Sequence, residues 1–432
     1  MIDVINKVLW AVATIFLVGG GLYFSFFYRF IQFDFKSMIK SFKKDKSSEI
    51  TPFQALTMAL GARIGVGSLA GIALAIYLGG VGSVFWIWVS SIITSSNAFV
   101  ESLLAVIYRK KEKYGSNGGP AFYIERGVKS QKLASLYAVL VIMAYIFGFL
   151  TIQTNTIAKS LDGILEVSPL VIGIVVALVS AFIIFGGVKS IAKVTAKLVP
   201  VMGLGYLLVG LIIVFNNISV MSDVLLNIIS EAFNIKSLGI GVVVSLVIGV
   251  QRGVFSNEAG IGTGAIAAAS VDSNNAVGQG LIQVVGIYFT SLVVCSVTAF
   301  IILTSNYNGL YFENINGIEI TSYALNYHMG NFGSVILMLA ILLFSFSTII
   351  SGYYYGESNL KYLFPNNNEK KVFFLKILTI ILLVYGSVAS ASFLWNLVDI
   401  LVAIMAIINI IALFCLKDRA KEELQLYKKK RM

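Results

Sequence analysis

Two short stretches of this chain put glycines, a cation and hydroxyl or amide side chains inside segments that are otherwise apolar. The first reads Gly61-Ala62-Arg63-Ile64-Gly65-Val66-Gly67-Ser68-Leu69-Ala70-Gly71, and the second reads Arg252-Gly253-Val254-Phe255-Ser256-Asn257-Glu258-Ala259-Gly260-Ile261-Gly262-Thr263-Gly264. Neither suits an unbroken helix facing lipid, which offers no hydrogen bonds to backbone or side chain. Close packing of small residues explains the Gly67/Gly71 spacing but not Arg63, because an isolated charge at that depth is costly. Both stretches are therefore expected to unwind part-way across. A half-helix that begins at such a break presents free N–H groups and the positive end of its dipole, which suits a carboxylate. Unwound carbonyls supply oxygen ligands for a small hard cation such as Na⁺. One site of this kind has the chemistry to hold an amino acid and a sodium ion together.

Other polar residues within apolar segments are candidates to complete it. Glu258 reads first as half of a structural ion pair, with Arg252 or Arg63, as buried charges require. Gln153, Thr154 and Asn155 reach across to a site or bond between helices. Ser345, Ser347 and Thr348 do the same or bond back to their own helix. Glu101, Glu357 and Asp399 each need a partner or a wet cavity, and Trp395 is an interface anchor or a site residue. Enzymatic alternatives lack their parts. Cys295 and Cys415 are the only cysteines and both lie in apolar runs, so neither a disulfide framework nor a cysteine zinc site is available. His328 is the only histidine, which removes His-pair metal sites and Ser-His-Asp arrangements. The sequence contains no phosphate-binding loop of the G-x-x-x-x-G-K-[ST] type.

The elements that must position these residues follow from composition. The chain has 432 residues, 58% hydrophobic and only 12% charged, with a mean hydropathy of +0.88; soluble chains carry roughly 25% charged residues. This is an all-α polytopic membrane protein. A crossing takes about 20 apolar residues, and eleven segments qualify, near 8–28, 53–78, 84–108, 134–157, 169–187, 197–216, 238–268, 276–303, 332–357, 372–388 and 392–416. The first is too long, and too basic in its flank, for a cleaved signal peptide and is expected to be retained.

Basic residues set the orientation. Of the 32 Lys and Arg, 27 fall on one face, in the loops after spans 1, 3, 5 and 9 and in the tail beyond 416. The other face holds Lys7, Lys159 and Lys236. The amino terminus is thus expected outside and the carboxyl terminus in the cytoplasm of a cell-membrane protein. The net charge of +11 is a cytoplasmic collar that attracts anionic lipid, not a nucleic-acid footprint. One break opens spans 2–6 and the other opens spans 7–11. Five is odd, so the second set enters from the opposite side, the pattern of inverted repeats whose broken helices meet at a midplane site. The expected division is an N-terminal helix (1–31), a basic linker (32–52), a first repeat (53–216), an outer connection (217–237), a second repeat (238–416) and a basic tail (417–432).

From about Thr51 to Leu416 the chain resembles the alanine or glycine:cation symporter family, sodium-coupled amino acid carriers of the leucine-transporter fold. The resemblance is carried by Thr51-Pro52-Phe53-Gln54-Ala55-Leu56, Gly65-Val66-Gly67, Phe85-Trp86-Ile87-Trp88, Gly118-Gly119-Pro120, Arg252 to Gly260, Tyr354-Tyr355-Gly356-Glu357 and Trp395-Asn396-Leu397-Val398-Asp399. It implies that the amides of Val66 and Gly67 hold the substrate carboxylate, with the Arg63 carbonyl near the ammonium group. Gln153 is similar to the family's substrate-contacting glutamine, and Ala259, Gly260, Ile261 and Gly262 would line the pocket. A sodium site would use the carbonyls of Gly61, Ile64 and Phe344 and the hydroxyls of Ser347 and Thr348.

The chain also departs from the family pattern. Val66 and Ser68 stand for a usual Thr and Asn, Thr290 for an Asp, Ile261 for a Met, and Gly352 for a Trp. Less bulk at 261 and 352 implies a substrate larger than alanine, and the lost Asn and Asp count against a second sodium site. The expectation is a symporter of Na⁺ and a neutral amino acid, with no organic cofactor and no obligatory protein partner. Its rivals are proton coupling through Glu258 or Glu101, and a sensor of the same fold that no longer transports.

Overall fold

Long apolar stretches close their backbone hydrogen bonds internally, and in a single chain segment only a helix does so. The computed structural model describes residues 2–43, 50–111, 116–234, 240–271, 275–305, 317–366 and 368–429. The helices that matter here are α1 (Ile2–Phe27), α2 (Pro52–Arg63), α3 (Ile72–Gly79), α4 (Ser83–Tyr108), α5 (Gln131–Leu161), α6 (Pro169–Ile184), α7 (Gly187–Asn216), α8 (Ile218–Ala232), α9 (Ile240–Asn257), α10 (Gly264–Ala269), α11 (Ala276–Leu303), α12 (Ile318–Met329), α13 (Asn331–Leu363), α14 (Glu369–Val388) and α15 (Ala391–Lys429). Short two-residue strands, Lys110–Lys111 and Ser116–Asn117, pair antiparallel at the end of α4.

Among the described residues, eight helices are long and apolar enough to cross a membrane, and nine crossings result if α2 and α3, bent by 57°, count as one. Eleven were expected. The difference lies in two short apolar helices, α6 and the Gly241–Asn257 part of α9. The 16 residues of α6 reach about 24 Å at 1.5 Å per residue, short of the roughly 30 Å hydrocarbon thickness. The other is short because the second glycine-rich stretch ends it. Two late helices run longer than expected, α13 to Leu363 and α15 to Lys429.

Both glycine-rich stretches are broken in the structure. The first unwinds at Ile64 and then forms a wide, π-type turn over Gly67–Gly71 before α3 begins. The second unwinds between α9 and α10. Similar wide turns interrupt α5 at Met143–Phe149 and α11 at Phe289–Val294; such turns re-aim side chains and occur often at functional sites. Around the breaks, α4 packs along α11 and α9, α2 lies between α7 and α13, and α5 lies against α13 and α14. α1 rides on α15 and α4. The outer faces stay apolar and exposed, as Leu178 and Phe182 show on α6, which is where lipid hydrocarbon belongs.

Candidate functional site

The first break begins with a well-anchored half-helix. Thr51 and Gln54 form a reciprocal capping box at the start of α2, the Thr51 N–H donating to Gln54 Oε1 at 2.9 Å and the Gln54 N–H donating to Thr51 Oγ1 at 3.2 Å. The helix ends at Ile64, whose backbone (φ −85°, ψ 74°) is no longer helical. The Gly65 N–H turns back onto the Arg63 carbonyl at 3.0 Å, and the Ser68 N–H reaches the Gly65 carbonyl at 3.1 Å. The Val66 N–H is taken by the side-chain oxygen of Gln153 at 3.1 Å. Gly65 lies directly against Thr348, and a Cβ at Gly67 would stand 2.9 Å from the Phe255 ring. Neither position has room for a side chain.

Oxygen atoms gather on the α13 side of this break. The Thr348 hydroxyl donates to the carbonyls of Gly61 at 2.9 Å and Phe344 at 3.1 Å, and the Ser347 hydroxyl to the same two carbonyls at 3.1 and 2.8 Å. Four of the five residues expected to hold sodium are thus in mutual contact, and the fifth, Ile64, terminates α2 three residues beyond Gly61. All five are buried. The set consists of oxygens only, which is the donor type a hard monovalent cation prefers. On the other side, Ser68 Oγ lies 2.8 Å from Ser256 Oγ, which lies 3.1 Å from the Cys295 thiol. Thr298 donates to the Ser68 carbonyl at 2.8 Å. Neutral groups therefore surround Ser68 here.

The second break is held differently. Asn257 ends α9 by accepting the Ala259 N–H at 2.8 Å, while its amide donates to Ser91 and Ser291 at 2.8 and 2.9 Å. Glu258 adopts a left-handed backbone (φ 59°), as do Gly260 (φ 88°) and Gly262 (φ 92°). Glycine takes that conformation freely; for Glu258 it is a strain of about 1–2 kcal/mol that the surroundings must hold. Asn409 on α15 donates to the Gly260 carbonyl at 2.9 Å and to Glu101 Oε2 at 2.9 Å. Tyr137 donates to the Ile261 carbonyl, Tyr123 to the Asn409 side chain, and Tyr145 to Glu258. Tyr145 also lies 3.0 Å from the Thr263 hydroxyl.

Arg63 joins the two breaks. Its side chain is fully buried, 3.9 Å from Glu258 Oε2, and reaches the Gln283 carbonyl at 3.5 Å. Its guanidinium fills a slot bounded by Gly264 and Gly286, where any Cβ would collide with it. Arg252 takes Asp399 instead, in a two-pronged pair at 2.9 and 3.3 Å, and its guanidinium sits 5.3 Å from the Trp395 ring centre and 5.9 Å from that of Phe255. Phe255 and Trp395 stack at 4.7 Å. Of the two partners open to Glu258 in the sequence, the structure selects Arg63. Glu357 pairs with Lys361 at 2.8 Å, and Asn155 caps the end of α14 through the carbonyls of Gly386 and Ala389. Thr154 bonds back to Leu150 in its own helix.

The structure thus groups Gly61, Arg63, Ile64, Gly65, Val66, Gln153, Phe344, Ser347 and Thr348 around the first break. Gly67 faces Phe255, and Ser68 faces Ser256. Among the described residues, the side-chain bonds of the 259–261 stretch run to Asn257, Asn409 and Tyr137, and Gly262 packs on Pro120, Tyr137 and Asn409. Gly352 rests against Leu150 and Tyr145, 2.8 and 2.9 Å from where its Cβ would be. Sequence reasoning missed Tyr123, Tyr137, Tyr145 and Asn409. A signal existed: a tyrosine hydroxyl or an amide inside an apolar crossing must find a partner.

Comparison with known proteins places this arrangement. All of residues 1–432 match the sodium:alanine symporter family. The chain belongs to that family. A probable sodium/glutamine symporter of Bacillus subtilis, GlnT, is 38% identical over 96% of this chain and 88% of its own length. The amino-acid carrier AlsT of the same organism is 36% identical over 100% of this chain and 92% of its own length. The sodium/alanine symporter AgcS of Methanococcus maripaludis is 32% identical over 99% of this chain and 96% of its own. A sodium-coupled sialic acid symporter, solved substrate-bound and outward-open, superposes with a TM-score of 0.56 at 14% identity, covering 90% of this chain and 82% of that one; at that identity it shows a shared fold alone. Membership makes this chain a multi-pass membrane transporter of the amino acid symport type, not an enzyme.

Proposed function

We propose that the chain carries a neutral amino acid into the cell together with Na⁺, by alternating access around the first break. The observation that carries this reading is the cluster of Gly61, Phe344, Ser347 and Thr348 oxygens one turn from the Val66 N–H. That amide is held by a neutral carboxamide, Gln153. A substrate carboxylate is a stronger acceptor for it, so binding exchanges Gln153 for the substrate and frees Gln153 to bond the ligand in turn. Sodium, held by the lone pairs of the same hydroxyl and carbonyl oxygens, takes over from the O–H···O=C bonds as the link between α2 and α13. The hydroxyls keep their protons, and the ion favours the state in which those helices are closest. An ion that binds one state better shifts the population toward it, so its gradient drives uptake.

The same reading keeps eleven crossings, with repeats at 53–216 and 238–416, the amino terminus outside, the basic tail in the cytoplasm and the collar of cations against anionic lipid. Sodium is the coupling ion and no organic cofactor is needed. The substrate is larger than alanine: Ile261 and Gly352 carry less bulk than the family's usual Met and Trp, and a relative named for glutamine shares 38% of its residues. In the present packing Tyr145 and Leu150 occupy the space beside Gly352, so a larger side chain enters as those two move. Glu258 lies against Arg63 and Tyr145, and Glu101 accepts from Asn409, so both acids have structural partners in the packing around the second break.

Purified protein in liposomes tests the proposal with labelled alanine, glycine, glutamine and leucine, each with and without an inward sodium gradient. The expected result is sodium-driven accumulation, with glutamine ahead of alanine. Accumulation of none of the four, or uptake indifferent to sodium, overturns the coupling; alanine ahead of glutamine overturns the size reading alone.

A further inference from the structure

Behind the first break, on the outer side of Phe344, a groove of about 260 Å³ runs between α7 and α13. Val201, Gly205 and Leu339 form its rim, and Tyr206, Ala340 and Phe344 form its floor. The floor residues are buried, whereas Val201 and Leu339 are 66% and 49% exposed. Both helices cross the membrane, so the mouth opens onto hydrocarbon, continuous with the exposed apolar strip of Leu204, Leu208 and Leu211 on α7. The one polar side chain in the floor turns away: the Tyr206 hydroxyl lies 2.9 Å from Thr298 Oγ1. An apolar cavity of even about 150 Å³ stays dry and takes apolar ligands. The occupant that fits is an acyl chain from the surrounding bilayer.

The floor also touches the functional region. Tyr206 packs edge-on to Phe344 at 5.4 Å, and the Phe344 carbonyl belongs to the oxygen cluster of Ser347 and Thr348. Through Thr298, Tyr206 reaches the Ser68 carbonyl in the wide turn of the first break. We propose that the groove binds one acyl chain of a membrane phospholipid and that its occupancy is linked to cation binding at the oxygens behind Phe344. The second half rests on the sodium reading above; the first half does not.

The test starts with the unmodified protein in liposomes containing a phospholipid with a photoreactive group on its acyl chain. After irradiation, adducts at the groove residues should exceed those on the outer face of α6, at Leu178 and Phe182, by several-fold. Equal labelling of both faces overturns the site. Gly205→Phe then fills the groove from its rim, since a Cβ there meets nothing within 4 Å; adducts should fall, and the sodium concentration for half-maximal uptake should shift by about fivefold, the lower end of coupling between sites. Reduced labelling with unchanged sodium dependence overturns the linkage and leaves the lipid site standing. Should Thr348→Val also leave sodium dependence unchanged, the sodium assignment has failed and the groove has not.

Discussion

The two breaks begin from similar ingredients and end in opposite conditions. At the first, the freed backbone groups are held by neutral partners that a ligand can replace: Gln153 on the Val66 N–H, Ser347 and Thr348 on the Gly61 and Phe344 carbonyls. Hydrogen bonds of that kind are each worth about 0.5–1.5 kcal/mol net, so exchanging them costs little. At the second, tyrosines, Asn409 and a buried ion pair hold carbonyls and a strained Glu258. Removing one partner from such a pair costs about 3–5 kcal/mol. The first break is therefore the more adjustable of the two and the second the more tightly held, with the Arg63–Glu258 pair tying one to the other.

The sharpest way to break that contrast is Arg63→Met. It leaves Glu258 buried without its cation and should cost about 3–5 kcal/mol, read as a large drop in thermal unfolding temperature in detergent. A loss under about 1 kcal/mol, the size of one ordinary hydrogen bond, means charge does not hold the second break. Thr348→Val keeps the shape and removes a hydroxyl from the oxygen cluster. A bond to a charged group is worth about 1.5–3 kcal/mol, so half-saturation by sodium in the liposome assay should rise about tenfold or more, with little change in unfolding temperature. Unchanged sodium dependence removes Thr348 as a ligand. Tyr145→Phe should cost about 1–2 kcal/mol of stability, from one bond to a carboxylate that keeps its other partner, and leave sodium dependence alone; a shift in sodium affinity instead would merge the two breaks into one site. The smallest effect expected is Gln54→Ala, which opens half of the capping box at the base of the adjustable helix and should cost about 0.5–1 kcal/mol. Circular dichroism melting checks it.

Both breaks were legible because glycine, arginine and hydroxyl side chains have no business in a lipid-facing helix. The resemblance named Ser347 and Thr348, and the packing brings them onto the Gly61 and Phe344 carbonyls, whereas the capping box of Thr51 and Gln54 came from the structure. Crossing lengths were less so: α6 reads as an ordinary span, and its shortness emerged from where its helix ends. The tyrosines of α5 and Asn409 stayed hidden because hydropathy averages dilute a single hydroxyl or amide among apolar neighbours. The wide turn at Met143–Phe149 adds to this, since it changes which residues face inward and no local residue choice announces it. The direction of Ala259 to Gly262 was hidden too. Left-handed glycines at 260 and 262 decide where those carbonyls point, and glycine in a sequence does not state the sign of φ.

What the amino-acid order settled by itself is the medium and the weak points: apolar length demands a bilayer, and glycine beside charge marks where helices fail. Partner choice was settled by the tertiary packing. Glu258 was open to Arg63 or Arg252, and Asp399 had no chosen partner, until neighbouring helices brought Arg63 to Glu258 and Arg252 to Asp399. A buried charge dictates only that it must be neutralised, whereas distance dictates by whom.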